Sequence, residues 1–272
     1  AEAREALSMV GLFDEGKVVW PTETDEGFQP SHQIRFDDLG RKEIARPVTE
    51  DDVQLMDQVE ADLGVRVRLE LGEYATPQLR DQAARMMRGL FGSGDPKYAA
   101  FRETFGDLPA KVWEGTAGIQ VSDILDWNGQ AYVPMTRLHA ATPTSPGRPY
   151  HGVVLNERIV AARWARGYSQ TSNKRWFVEV PHDVSDFERM LVHEIGHFLE
   201  DLSGLDINEL ASVDNTPVRA RVIQFGTYST QNLHEYLAEV FVRAVFEPHR
   251  LTEPQRQMIQ RMVDQVRQRM EE

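Results

Sequence analysis

The chain has 272 residues, enough for one large domain or two small ones, and its 41% apolar and 27% charged residues are ordinary for a soluble globular protein. It has no cysteine, which excludes disulfides, thiolate metal sites and cysteine nucleophiles, so any transition-metal site must use His, Asp and Glu. The net charge of −13 disfavours nucleic acid, which needs a basic surface, and no run of about eighteen apolar residues marks a membrane span.

The chain begins Ala1-Glu2-Ala3-Arg4 without an initiator methionine or an apolar signal region, which points to a processed protein or a segment of a longer one. Residues 1–46 read as an N-terminal arm or linker. Trp20–Pro30 has little periodicity, although Val18, Val19, Trp20 and Phe28 could pack on the main body. The folded domain is expected over 47–272. Thr49 caps a helix carrying Val53, Met56, Val59 and Leu63, with Gly64 as its stop. Val65–Leu71 alternates as a half-buried strand does. Thr76-Pro77 opens a helix with Leu79, Ala83, Met86, Met87 and Leu90, and Asp95-Pro96 opens a shorter one.

Strands are expected at Lys111–Val121, Gln130–Thr136, Gly152–Val160 and Arg175–Val180, with Thr142–Pro149 as a loop. Ser185 and Glu188 then form a capping box for a helix that Gly204 ends. A helix over Asn232–Phe246 is apolar nearly all round. A last helix, boxed by Thr252 and Gln255, carries Met258, Ile259, Met262, Val263 and Val266. Strands in the middle and helices gathered toward the C-terminal side make an α+β fold.

The informative string is His193-Glu194-Ile195-Gly196-His197. Histidines at i and i+4 leave one helix face, so two neutral imidazoles can meet one zinc ion. Glu194 lies on the flank of that face, where it can reach an activated water without taking a coordination site. A catalytic zinc takes three protein ligands. The extended pattern H-E-x-x-H-x-x-G-x-x-H is excluded, because Glu200 and Ser203 occupy its later positions.

The third ligand is expected in Asn232–Phe246. There Glu235 and Glu239, at i and i+4 in a buried helix, would repel each other unless a cation or protonated histidines lay between them. Glu235 is assigned as the ligand. Glu239 is assigned to accept the N–H of a ligand histidine and fix its tautomer, or to pair with Arg243 on its own helix. The competitors are Asp201, on the histidine helix, and Glu209. The latter sits in Asn208–Ser212, which resembles the N-E-x-x-S string of thermolysin-like enzymes but follows His197 too closely.

His193–His197 followed by Tyr228-Ser229-Thr230-Gln231-Asn232-Leu233-His234-Glu235-Tyr236-Leu237-Ala238-Glu239-Val240-Phe241 resembles the catalytic domain of anthrax lethal factor and the related Pro-Pro endopeptidases. That family has H-E-x-x-H, a tyrosine seven residues before the glutamate ligand, and an A-E-x-F continuation. Glu200, Asp201 and Gly204 also fit its acidic run after the zinc helix, and the likeness covers roughly 185–246. The resemblance implies a zincin-like fold, with a small mixed twisted sheet, a zinc-binding helix and a C-terminal helical subdomain. It implies one catalytic Zn2+ held by His193, His197 and Glu235, and Tyr228 as hydrogen-bond donor to the oxyanion.

The expected activity is therefore zinc-dependent endopeptidase, with Glu194 as general base and a peptide or protein as substrate. The substrate is expected to lie extended along a sheet edge, with Gly152–Val160 as that edge. The resemblance suggests a secreted chain, or an effector or toxin delivered within a longer polypeptide. The alternative is a catalytically silent zincin-like module that binds or supports within a larger phage or toxin polypeptide, or an H-E-x-x-H peptidase whose third ligand lies elsewhere.

Overall fold

A computed structural model describes residues 13–14, 17–18, 33–35, 49–64, 69–71, 77–92, 95–106, 108, 118–134, 140–141, 152–156 and 177–271. The described part is α+β. Most of the expected arm 1–46, the loop Thr142–Pro149, and the outer parts of Lys111–Val121, Val65–Leu71 and Gly152–Val160 lie outside it. The chain falls into two compact units, Ala1–Arg85 with Glu114–Ser169, and Met86–Trp113 with Gln170–Glu272; both draw on residues of the expected domain 47–272.

The first unit is built on strand β5 (Gly118–Trp127). It runs parallel to β3 (Gln33–Arg35), β4 (Leu69–Glu70) and β8 (Gly152–Asn156), and antiparallel to β6 (Tyr132–Pro134). Strand β7 (Ala140–Ala141) is antiparallel to β8, which completes a six-stranded mixed sheet. A separate two-stranded ribbon joins β1 (Phe13–Asp14) and β2 (Lys17–Val18). Ile119, Ile124, Val153, Val154 and Leu155 are buried in this unit.

Two expectations change here. Strand β5 runs six residues past Val121, because apolar residues Ile124 and Leu125 continue its pairing. The other change is that β8 is not an edge: Val154 and Leu155 are paired to β5 on one side and to β7 on the other, so their backbone groups are already used.

Helix α1 (Glu50–Leu63) starts at a capping box of Thr49 and Asp52 and stops at Gly64, whose φ of +68° suits glycine. Of its expected apolar stripe, Val59 is buried but Val53 is exposed. The inward position is taken by Asp52, which is buried because it accepts from Leu71 N–H at 3.2 Å and from Arg80 at 2.6 Å. Helix α2 (Pro77–Phe91) buries Leu79, Ala83, Met86, Met87 and Leu90 as its periodicity requires.

The second unit is helical: α3 (Ala99–Phe105), α4 (Asp186–Ser203), α5 (Ile207–Ser212), α6 (Val218–Phe225), α7 (Leu233–Phe246) and α8 (Glu253–Glu271). Helix α4 opens on the Ser185–Glu188 capping box and ends at Gly204 with φ +57°. The other carboxylate oxygen of Glu188 receives the Tyr98 hydroxyl at 2.8 Å and the Lys97 ammonium at 2.5 Å, so the box also ties the chain before α3 to the start of α4. Helix α7 is buried from Tyr236 to Val245 and packs along α4. A Cβ at Gly196 would lie 3.2 Å from Ala238 Cα and from Phe241, so the glycine inside the H-E-x-x-H string lets the two helices approach closely. Phe241 meets Phe101 and Phe105 edge-on, and burial of such a ring contributes about 1.5–3 kcal/mol. Met258, Ile259, Met262, Val263 and Val266 of α8 are buried, as expected.

Arg175–Val180 is not a strand over its described residues 177–180. The backbone N–H of Val178 donates instead to the Glu239 carboxylate at 2.6 Å, so this segment spends its donor on a side chain rather than on a neighbouring strand.

Candidate metal centre

The site lies within the second unit, where α4 and α7 run together. His193 and His197 leave α4 one turn apart, and Glu235 leaves the first turn of α7, which Asn232 caps through its side chain to Glu235 N–H. Close packing at Gly196 sets the two helices at the distance that lets these side chains meet. Nε2 of His193 and Nε2 of His197 are 3.2 Å apart, and Glu235 Oε2 lies 3.0 Å from the first and 3.3 Å from the second.

Those three edges can be compared with a coordination shell. Four ligands at the usual zinc distances of about 2.0–2.1 Å, placed tetrahedrally, are about 3.3–3.4 Å apart. The triangle is within a few tenths of an ångström of that. Two ring nitrogens 3.2 Å apart cannot both point a hydrogen at each other, so the arrangement calls for a shared proton or a cation. His193, His197 and Glu235 could hold a metal ion, and they form the only such trio among the described residues.

The groups behind the triangle favour that use. His193 Nδ1 lies 2.8 Å from Glu239 Oε1, off the direction of a well-aligned hydrogen bond, and Glu239 is fully buried. Its other oxygen accepts from Val178 N–H, and Arg189 stands 3.9 Å from Oε1. A carboxylate behind Nδ1 leaves Nε2 free to face an ion. The alternative pairing of Glu239 with Arg243 is not made within ion-pair distance; the Arg243 guanidinium lies 5.0 Å from the centre of the Phe225 ring instead. Glu200 Oε2 is 3.8 Å from His197 Nδ1, and its other oxygen is in close contact with His234 Nδ1.

The electrostatics agree with the geometry. Four carboxylates, Glu194, Glu200, Glu235 and Glu239, surround the two imidazoles, with Arg189 as their nearby counter-charge. Burial works against a charged His193, but Glu235 and Glu239 outweigh it and the net shift is upward. His197 is likewise opposed by burial, yet Glu200, Glu235 and the charge of Glu194 push it up to about 10. Burial would raise Glu235, but the two histidines hold its carboxyl far below the usual range. An anionic pocket that draws protons onto imidazoles in this way offers the same attraction to a dication.

Glu194 is buried beside the ligands, and its negative charge acts on both His197 and Tyr228. Tyr228 sits on the 3-10 turn Thr227–Thr230. Its ring is 5.6 Å from that of His193 and 4.9 Å from that of Phe177. Burial, then the charges of Glu235, Glu194 and Glu239, raise its hydroxyl well above the ordinary tyrosine value, so it remains a proton donor.

The competing ligands fall elsewhere. Glu209 is exposed on α5, and neither it nor Asp201 joins the trio. Sequence reasoning missed the support around the site: Val178 N–H and Arg189 on Glu239, Glu200 with His234 behind His197, and Phe177 against Tyr228. The i+3 spacing of Glu200 from His197 was a legible signal. The other contacts join residues 34 or more positions apart and left none. No helix among the described residues is long and apolar enough to cross a membrane. No protein-family model, curated protein or solved structure matches the chain.

Proposed function

We propose that this chain is a zinc-dependent endopeptidase with a zincin-like catalytic unit. The observation that carries the reading is the triangle of His193 Nε2, His197 Nε2 and Glu235 Oε2, with edges of 3.0–3.3 Å, beside a buried glutamate that takes no corner of it. The likeness of His193–His197 and Tyr228–Phe241 to the lethal factor and Pro-Pro endopeptidase family supports the same assignment.

When bound, zinc supplies a Lewis acid that polarises the scissile carbonyl and makes water easier to deprotonate. His193, His197 and Glu235 would hold it. Glu239 keeps the His193 hydrogen on Nδ1. Glu194 takes a proton from the water whose oxygen attacks the carbonyl carbon. As the C–N bond breaks, Glu194 returns that proton to the leaving nitrogen. Tyr228, held protonated, donates its O–H to the carbonyl oxygen as negative charge develops there.

A paired measurement of zinc content and peptide turnover tests this. Wild type should hold about one zinc per chain and cleave members of a broad peptide library. Glu194→Ala should keep its zinc and lose about 10²–10⁴ in kcat. Wild type that takes up no zinc on titration sinks the proposal. Zinc bound without cleavage leaves a metal-binding module, and unchanged turnover in Glu194→Ala rules out this mechanism.

A further inference from the structure

We infer that Phe177 is a positioning residue that holds Tyr228 against His193, an inference that rests on the peptidase reading for its effect on rate. Tyr228 stands on a four-residue 3-10 turn, Thr227–Thr230, and its hydroxyl makes no hydrogen bond among the described residues. No polar contact among the described residues therefore fixes its ring, whose orientation depends on what it packs against. Among the described residues two rings meet it: His193 at 5.6 Å between centroids and 53° between planes, and Phe177 at 4.9 Å and 54°. His193 is committed to the triangle, which leaves Phe177 as the side that closes the seat.

Phe177 is itself clamped by the elements that carry the metal ligands. The Arg189 guanidinium of α4 stacks 3.9 Å from the centre of its ring. One residue further on, Val178 N–H donates to Glu239 Oε2 of α7 at 2.6 Å. Arg189 in turn stands 3.9 Å from Glu239 Oε1, which faces Nδ1 of His193. The two-residue segment Phe177–Val178 thus bears on both arms of the site. Val178 steadies the carboxylate behind His193, and Phe177 steadies the tyrosine in front of it. A group that donates to a developing charge is effective only when already aimed at it. Here a ring contact supplies the aim.

The experiment uses the full chain labelled with 3-fluorotyrosine, the Tyr228 fluorine signal being assigned by its absence in Tyr228→Phe. Phe177→Ala should lower the transverse relaxation rate of that signal by about twofold or more as the ring becomes mobile. It should lower kcat by about 10-fold while leaving KM and zinc content unchanged. Phe177→Trp, which keeps an aromatic face, should restore both. In Phe177→Ala/Tyr228→Phe the turnover should match Tyr228→Phe alone within about twofold, because a positioning residue has nothing left to position. If Phe177→Ala does not fold, Phe177→Leu carries the same measurements, since it keeps apolar volume without a ring. An unchanged relaxation rate, or losses that multiply in the double variant, overturns the inference. A wild type that cleaves no peptide removes the peptidase reading instead, while the relaxation rate still decides whether Phe177 holds Tyr228.

Discussion

Glu239→Gln separates the metal-orienting role of Glu239 from its structural one. The carboxylate faces two donors, Val178 N–H at 2.6 Å and His193 Nδ1 at 2.8 Å. An amide of the same shape has one oxygen and one NH2. The backbone N–H can only donate, so the oxygen must stay with Val178, and the NH2 then faces His193. Imidazole meets an NH2 by accepting at Nδ1, which moves its hydrogen to Nε2, the nitrogen that faces Glu235 and His197. The variant therefore keeps the buried amide satisfied but disarms a ligand. Loss of such a carboxylate behind a ligand histidine weakens metal binding by about 10–100-fold. Glu239→Ala should also weaken metal binding, by about 10–100-fold, and in addition leave the buried Val178 N–H without its acceptor, costing about 1–3 kcal/mol of stability. Zinc affinity by competition with a chromophoric chelator, set beside urea melts of the metal-free proteins, reads both quantities. The expected pattern is a Gln variant near wild type in stability yet at least as weak in zinc binding as the Ala variant. A Gln variant that binds zinc like wild type would falsify the tautomer argument.

Glu235→Ala should lose zinc binding, whereas Glu209→Ala, exposed on α5, should not change it; the reverse result on elemental analysis makes the third-ligand assignment wrong. In the metal-free protein His197 has a pKa of about 10 against about 6.5 unfolded, so its contribution to stability is full below about pH 6.5 and is lost as pH rises toward 10. Denaturant melts at pH 6 and pH 9 should show that loss in wild type and a smaller one in His197→Ala, where His193, also shifted upward, still contributes, and zinc binding at pH 7.5 should release protons by calorimetry in buffers of different ionisation enthalpy. Gly196→Ala gains about 1 kcal/mol of helix propensity but meets the Ala238 backbone and Phe241 at 3.2 Å, a crowding cost of about 1–3 kcal/mol. It should lower Tm by a few degrees and weaken zinc binding, and a raised Tm would show that α4 and α7 have room to spare.

The amino-acid sequence by itself determined the local pieces. Ser185 with Glu188, Thr252 with Gln255, and Gly64 and Gly204 mark helix ends because capping uses groups three or four residues apart. The i, i+4 spacing put His193 and His197 on one helix face, and the all-round apolar character of Asn232–Phe246 announced a buried helix whose two glutamates needed a cationic reason to be there. Tertiary structure decided what depends on groups far apart in the chain. Val53 looks as buried as Val59 by periodicity, yet the inward place went to Asp52, because Leu71 N–H and Arg80 satisfy its carboxylate. Gly152–Val160 reads as an edge strand until Ala140–Ala141 pairs with it. Arg175–Val180 has strand composition, but the Val178 amide was claimed by Glu239, 61 positions away. The same holds at the metal centre. Spacing can nominate His193, His197 and Glu235, but only the approach of α4 and α7 at Gly196 brings their donor atoms within 3.3 Å, and only the tertiary fold sets Phe177 against Tyr228 and Val178 N–H on Glu239. Periodicity records which face of an element turns inward, whereas the partner found there is fixed by helix packing and side-chain shape.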